Sequence, residues 1–138
     1  MAKQTEILTL EQKRFLDLVS RENYLVKKFY FTGGTPLSTF YLHHRLSEDI
    51  DLFSEGEVYL PSIRAFIGKA QKKLRLKKFD YRQFLGLHTF QLYFSAKNIL
   101  KVDFNYYPFP RIEKGIKYGQ LSVDGVLDIA VNKVHTIR

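Results

Sequence analysis

Two aspartates in an otherwise apolar segment constrain the fold more than any other feature of this chain. They lie in Ser47-Glu48-Asp49-Ile50-Asp51-Leu52-Phe53. A β-strand sends alternate side chains to the same side, so Asp49 and Asp51 are expected to point one way while Ile50 and Leu52 point into a core. Two carboxylates presented together form half of a magnesium site, because Mg²⁺ prefers hard oxygen ligands.

A diglycine turn precedes this acidic pair. The segment Phe29-Tyr30-Phe31-Thr32-Gly33-Gly34-Thr35 predicts a short apolar strand that ends in a flexible turn and opens a helix. Glycine lets the backbone N–H groups come close to a phosphate, and a helix start can hold a β- or γ-phosphate beside a metal. Thr35 could add a hydroxyl hydrogen bond. A Gly-Gly pair alone could equally be a tight turn, but Gly33 and Gly34 together with the two aspartates favour nucleotide chemistry.

A third acid completes the pattern. Phosphoryl or nucleotidyl transfer commonly uses three carboxylates around its metal ions. Asp103, in Leu100-Lys101-Val102-Asp103-Phe104, is a lone acid inside an apolar strand, where burial is costly unless the acid is paired or metal-bound. The alternative is that all three aspartates face solvent on half-exposed strands.

Three further polar residues are candidates for phosphate contacts. Arg45 and Ser47, just before the acidic pair, could bind phosphate or orient the carboxylates, although Arg45 could instead complement the C-terminal end of a helix dipole. Lys133 lies on the last predicted helix, where the pattern alone favours an ordinary solvated lysine.

The order of the elements predicts an α+β (mixed α/β) fold, in which helices pack on a mixed sheet. Residues 124 onward are predicted to form a helix with Asp124 as its N-cap. The other predicted helices cover residues 10–29, which a break near Asn23 could divide, Thr35–Arg45 and Pro61–Leu74. The predicted strands are Phe29–Thr32, Asp49–Phe53, 76–84, 87–95 and Ile99–Tyr107, with a hairpin turn at Leu85-Gly86.

Composition narrows the class of protein. A chain of 138 residues is expected to form a single domain, 1–138, and a net charge of +8 suggests a polyanionic partner or an anionic substrate. The absence of cysteine excludes thiolate metal sites. With no signal peptide and no apolar run of membrane length, we expect a cytoplasmic protein without a membrane partner. A basic segment is either solvated or a nucleic-acid track; its cations are Lys69, Lys72, Lys73, Arg75, Lys77 and Lys78.

These residues resemble a known family. The segments Gly33-Gly34-Thr35-Pro36-Leu37 and His44-Arg45-Leu46-Ser47-Glu48-Asp49-Ile50-Asp51-Leu52-Phe53 are similar to those of the AbiEii/AbiGii-type nucleotidyltransferases. These are toxin components of bacterial toxin–antitoxin and abortive-infection systems, within the DNA polymerase β-like superfamily. Lys101-Val102-Asp103-Phe104 resembles the family's lysine-x-aspartate motif, and Asp128-Ile129-Ala130-Val131-Asn132-Lys133 resembles its helical aspartate/lysine motif.

The resemblance implies a polymerase β-like nucleotidyltransferase fold and a role for each candidate residue. Asp49, Asp51 and Asp103 would be the catalytic, Mg²⁺-binding acids. The nucleotide triphosphate would be held by Gly33, Gly34 and Thr35, and Lys133 would contact its phosphates. Pro36 replaces the small residue usual after Gly-Gly-Thr, which a helix start tolerates. Family members continue into a helical C-terminal part with a fourth motif, so we expect this chain to be a piece of a longer protein.

Three functions follow as hypotheses. The first is a Mg²⁺-dependent nucleotidyltransferase toxin that moves NMP from an NTP to a hydroxyl of RNA, notably a tRNA 3′ end, or of a protein, with an antitoxin as partner. The second is a nucleotide- or RNA-binding module on the same fold, without turnover. The third is a magnesium phosphohydrolase that uses the same acids.

Overall fold

A seven-stranded mixed sheet organises the molecule. The computed structural model describes residues 8–36, 49–113 and 115–136, and it leaves out the side chains of 126 and 133–136. The strands are β1 (Tyr30–Thr32), β2 (Asp49–Ser54), β3 (Lys78–Phe84), β4 (Leu87–Tyr93), β5 (Ile99–Tyr106), β6 (Ile116–Tyr118) and β7 (Leu121–Val123). Their order across the sheet is β3-β4-β5-β2-β1-β7-β6. The expected mixed α/β architecture is confirmed.

The helices account for most of the remaining described residues. They are α1 (Leu10–Val19), α2 (Asn23–Lys28), α3 (Gly34–Pro36), α4 (Leu60–Leu74) and α5 (Val126–Thr136). The helical segment is interrupted between α1 and α2, near Asn23, as the sequence allowed. The helix predicted over Thr35–Arg45 is confirmed only at its start, because its remainder lies outside the described residues.

The hydrophobic core lies on one face of the sheet, called here the back face. Ile50, Leu52, Val102 and Phe104 on strands β2 and β5 are all fully buried there. They belong to one cluster with the apolar residues of α4, which follow helical spacing and are Ile63, Phe66, Ile67, Ala70 and Leu74. The opposite face, called the front face, is therefore where the alternate side chains of the same strands point.

Local sequence signals begin and end the back-face helices. Thr9 caps α1, because its hydroxyl accepts from the N–H of Gln12 while the Gln12 amide accepts from the N–H of Thr9. Helix α4 has Pro61 in its first turn and ends at Leu74, with Arg75 as its C-cap in the left-handed conformation at φ of 57°. These signals set where α1 and α4 begin and end.

The meander β3–β4–β5 forms one side of the sheet. Its first hairpin turns at Leu85-Gly86, as predicted, with Leu85 at φ of 55°. Strands β3, β4 and β5 pair antiparallel, and β5 then pairs parallel to β2. Antiparallel neighbours joined by short turns were readable from the sequence, whereas the parallel β2–β5 pair joins segments about fifty residues apart.

The other side of the sheet contains a hairpin that the sequence reasoning missed. Strands β6 and β7 pair antiparallel around Gly119, at φ of 60°, and β7 pairs parallel to β1. Each of these strands has three residues, too few for an alternation pattern to be recognised.

The start of the last helix differs from the prediction. Asp124 is not its N-cap: the N–H of Ile129 donates to the carbonyl of Gly125, which makes Gly125 the capping position. The carboxylate of Glu113 accepts from the N–H of Leu127 and supplies the cap from another segment. Asp124 is thereby left for a different role, described below.

Within the described ranges, no helix has the length and apolar character needed to span a membrane.

Candidate active site

The three predicted acids lie on the front face of two adjacent strands. In the parallel pairing of β2 with β5, Asp51 is opposite Asp103 and Asp49 is opposite Lys101. Partners in a sheet point to the same side, so Asp49, Asp51 and Asp103 share one face, and we call them the acid cluster. The register of these two strands brings together the three acids that the sequence patterns grouped.

Asp51 has the most perturbed environment of the three. Burial, followed by the charges of Asp103 and Asp49 and a side-chain hydrogen bond with Asp103, raises the pKa of Asp51 to about 7. The positive charge of Lys101 opposes this rise but is the smallest of the causes. Carboxylates this close cannot all ionise cheaply, so at neutral pH the cluster either shares a proton or needs a cation.

Asp103 is fixed by its own neighbours. The Thr89 hydroxyl on β4 donates to Asp103 Oδ1 at 2.7 Å, and Lys101 Nζ lies 3.6 Å from Asp103 Oδ2. Thr89 is the cross-strand partner of Asp103, so the contact follows directly from the β4–β5 register. Sequence reasoning missed Thr89, which shows only as a polar residue alternating with buried ones.

The diglycine turn touches the acid cluster. Gly33 has a φ of 91°, and a Cβ built on it would collide with the Asp51 carboxylate. A side chain here would be strained and would have no room, so only glycine suits the position. Gly34 follows as the first residue of α3. The predicted turn is therefore placed directly against the predicted metal ligands.

Thr35 is buried and joins the turn to β2. Its hydroxyl donates to the backbone oxygen of Asp49. The Thr35 hydroxyl, predicted to donate a hydrogen bond to a phosphate, therefore donates to the backbone of β2 in this structure. In the described arrangement, Thr35 holds the turn and the acidic strand together.

A buried polar network, not predicted from the sequence, lies beside the turn. Arg111 Nε pairs with Asp124 Oδ1 at 2.7 Å, and Asn132 Nδ2 donates to Asp124 Oδ2 at 3.0 Å and to Thr32 Oγ1 at 3.2 Å. Thr32 immediately precedes Gly33 and is the cross-strand partner of Asp51. The network therefore connects helix α5 with the strand end from which the turn begins.

Burial dominates the electrostatics of this network. It raises the pKa of Asp124 to about 6, against the lowering effect of the Thr32 hydrogen bond and of Arg111. The Arg111 guanidinium also lies over the ring of Tyr30, 4.6 Å from its centroid. Asp124, Asn132 and Thr32 are all buried, which makes this a rigid connection.

Asp128, the acid of the helical motif, holds backbone groups. Its two carboxylate oxygens accept from the N–H groups of Ile112 and Glu113, at 2.6 and 3.0 Å. With Glu113 capping α5 in return, the segment after β5 is fastened to the start of α5. Asp128 thus acts structurally here, and its motif partner Lys133 lies on α5 with its side chain outside the described residues.

The carboxylates of the acid cluster are the type of ligand that magnesium prefers, although they are not arranged in a complete coordination site. In the described part of the chain, no group of three or more His, Asp or Glu side chains is arranged to hold an ion. The donor set nevertheless consists of neighbouring carboxylates, and burial together with the charges of Asp103 and Asp49 raises the pKa of Asp51. A divalent cation is the partner that relieves this charge repulsion, so the residues suit the metal.

Two further predicted contacts cannot be placed. Arg45 and Ser47 lie outside the described residues and remain predictions. The basic segment is divided by the fold: Lys72 and Lys73 are exposed on α4 behind the sheet, whereas Lys78 begins the edge strand β3.

Comparison with known proteins decides the family. Residues 17–123 match the family model described as "Nucleotidyl transferase AbiEii toxin, Type IV TA system". This chain belongs to the AbiEii family. The matched region contains the diglycine turn, the acid cluster and Thr89, so the family resemblance is confirmed over most of the chain. The Asp128–Lys133 motif lies outside the matched region and remains a prediction. No curated protein matches it.

Two solved structures share the fold of this chain. A candidate nucleotidyltransferase from H. pylori has a TM-score of 0.63 and 19% identity, covering 88% of this chain and 55% of that one. JHP933 from Helicobacter pylori has a TM-score of 0.64 and 16% identity, covering 94% of this chain and 59% of that one. The chain therefore spans little more than half the length of these neighbours, and at such identity the likeness shows the fold.

Proposed function

We propose that this AbiEii-family chain is a Mg²⁺-dependent nucleotidyltransferase, the toxin of a toxin–antitoxin pair. It would move NMP from an NTP to a hydroxyl of RNA, with a tRNA 3′ end as one candidate, or of a protein side chain. One observation supports this most: the diglycine turn lies against Asp51 at the point where Asp103 and Asp49 crowd the same carboxyl. A phosphate cradle and a cation-seeking cluster in contact are what triphosphate chemistry requires.

Each element would have a separate task. Asp49, Asp51 and Asp103 would hold Mg²⁺, and bound Mg²⁺ would stabilise charge on the α-phosphate and lower the pKa of the attacking hydroxyl. The N–H groups of Gly33 and Gly34 would hold the β- and γ-phosphates. Thr89 would keep one Asp103 oxygen oriented.

The remaining candidates would act at the phosphates and outside the site. Arg45, Ser47 and Lys133 are proposed as phosphate contacts. The acceptor oxygen would bond to the α-phosphorus while the bond to the β-phosphate breaks, so that pyrophosphate leaves. An antitoxin protein is the proposed partner, and the cytoplasm, where NTP is abundant, is the proposed location.

Calorimetry on two variants tests this proposal. Each of the four NTPs is titrated into the chain with and without Mg²⁺, for the wild type, Asp51→Asn and the exposed control Glu57→Gln. We expect Mg²⁺-dependent NTP binding in the wild type and in Glu57→Gln. It should be lost in Asp51→Asn, because an amide NH₂ replaces one carboxylate oxygen and the negative charge is removed. Equal NTP binding by all three proteins would contradict the proposal.

Product analysis separates the competing reactions. With an acceptor present, nucleotidyl transfer releases pyrophosphate, whereas a phosphohydrolase releases inorganic phosphate. Mg²⁺-dependent NTP binding without either product would favour the binding-module hypothesis for this chain.

A further inference from the structure

Beyond the acid cluster the front face continues across the meander, where Lys78, Arg82 and Phe84 of β3 are exposed in the described part of the chain. Across the meander, Asp103 is opposite Thr89, and Thr89 is opposite Arg82. Arg82 is therefore in the same cross-strand row as the acids, on the outermost strand. By the usual spacing of strands, its Cα lies about 10 Å from that of Asp103.

Two cations on this surface are accessible. Arg82 and Lys78 are both exposed and point to the front face, since they alternate on β3 with the back-face residues Phe79 and Tyr81. No salt bridge of either is found among the described residues. Lys78 lies over the ring of Tyr93, at 4.6 Å, while the nearby Asp80 accepts from the Tyr93 hydroxyl at 2.9 Å.

Arg82 is set apart from the metal ligands along this row, because its Cα lies two strand spacings, about 10 Å, from that of Asp103. The same separation suits a phosphate of a chain whose end reaches the acids. Phe84, two residues further along β3, is 64% exposed and points to the same face, where a base could stack on it.

We propose that a single-stranded RNA acceptor crosses the front face of β3–β5, with its phosphates on Arg82 and Lys78 and a base on Phe84, so that its hydroxyl end reaches the acid cluster. The inference rests on the proposed function and names the acceptor class and its path. Cations beside an exposed aromatic ring are the usual composition of a single-strand track. Asp80 lies between Lys78 and Arg82 on the same face, and its carboxylate accepts from the Tyr93 hydroxyl. Lys72 and Lys73 are also exposed, but they are on α4, from which a strand bound there could not reach Asp51 directly.

This separation supplies a matched control. The double variant Lys78→Gln/Arg82→Gln removes two charges from the front face, and Lys72→Gln/Lys73→Gln removes two from the back. Both are made in the whole 138-residue chain. Binding of a fluorescein-labelled single-stranded RNA of about ten nucleotides, within the usual site size, is followed by anisotropy at several salt concentrations.

The front-face variant is expected to lose two phosphate contacts. The slope of log K against log salt should become shallower by about 1.4. The ratio of the wild-type binding constant to that of the variant should therefore shrink about sevenfold between roughly 50 and 200 mM salt. Phe84→Ala should weaken binding at least about fivefold without changing the slope. The back-face variant should bind as the wild type does. Arg82→Glu, at an exposed edge position, should weaken binding further than Arg82→Gln.

Other results would overturn the inference. Equal losses in both double variants would mean that only net charge matters, and a loss confined to Lys72→Gln/Lys73→Gln would place the track on α4. A wild type that binds Mg²⁺–NTP but no RNA would reject this path and favour a protein acceptor, leaving the nucleotidyltransferase proposal intact. Front-face RNA binding without any Mg²⁺–NTP binding would reject that proposal and leave the RNA surface standing.

Discussion

Replacing Asp51 by Asn should stabilise the metal-free protein while abolishing its response to magnesium. In the wild type, burial and the neighbouring charges of Asp103 and Asp49 raise the pKa of Asp51 from 3.8 to about 7. The folded protein therefore holds this proton more tightly than the unfolded chain does. The stability that the proton provides is complete below about pH 4, falls as the pH rises to about 7, and changes no further above that.

The pKa shift sets the size of the effect. A carboxyl with a pKa near 7 instead of 3.8 costs the folded state about 4 kcal/mol at pH 8. The Asn amide carries no charge and can donate a hydrogen bond to Asp103, so most of this cost disappears. Asp51→Asn should be more stable than the wild type by about 2–4 kcal/mol at pH 8, equivalent to a Tm about 10 °C higher for a domain of this size. The gain should shrink to about 1 kcal/mol at pH 4.5.

Thermal unfolding with EDTA, at pH 4.5 and pH 8, measures this gain, and Glu57→Gln serves as the equal-charge control at an exposed site. Added Mg²⁺ should then raise the Tm of the wild type and of Glu57→Gln but not that of Asp51→Asn, because only a folded-state ligand site links metal to stability. The reasoning is refuted if Asp51→Asn melts no higher than Glu57→Gln at pH 8, or if its gain is the same at both pH values.

Two further substitutions test the surroundings of the acid cluster. Gly33→Ala should destabilise the protein by about 1–3 kcal/mol or more in urea unfolding, because its φ is positive and a Cβ would collide with the Asp51 carboxylate. Its control is Gly68→Ala inside α4, where a Cβ would meet no atom within 4 Å apart from the adjacent backbone of the helix; this substitution should stabilise the protein by about 0.5–1 kcal/mol. Burial raises the pKa of Asp124 from 3.8 to about 6, so its contribution to stability should fall by about 2 kcal/mol as the pH rises from 4 to 6. Asp124→Asn should remove that part of the pH dependence, and an unchanged pH profile would contradict this.

The acid cluster could be predicted because the alternation of acidic and apolar residues shows which side of each strand faces the core. In β2 and β5, acids alternate with large apolar residues, and the buried set, Ile50, Leu52, Val102 and Phe104, fixes which side the acids take. Proximity was a separate inference from chemistry, since nothing local shows that two segments about fifty residues apart pair in parallel. The register that places Asp51 opposite Asp103 is a property of the assembled sheet.

The buried network could not be predicted because each of its members has an ordinary local explanation. Asp124 precedes a helix and was interpreted as its N-cap, and Asn132 is one polar residue on an amphipathic helix. Its partner Thr32 is separated from Asn132 by 100 residues in the chain. Only the parallel β1–β7 pair, formed by strands of three residues, brings Asp124 beside Thr32. Short strands leave no periodic signal, so the contacts that depend on them are invisible before folding.

This network explains how a weakly held turn can remain in position. Gly33 and Gly34 gain little from side-chain packing, and glycine loses the most conformational freedom on folding. The turn is instead fixed from both ends: Thr32 before it bonds to Asn132, and Thr35 after it bonds to the backbone of Asp49. Both contacts lead to rigid elements, α5 on one side and β2 on the other. A phosphate held by the turn would therefore lie at a constant distance from the acids, which is what in-line attack on an α-phosphate demands.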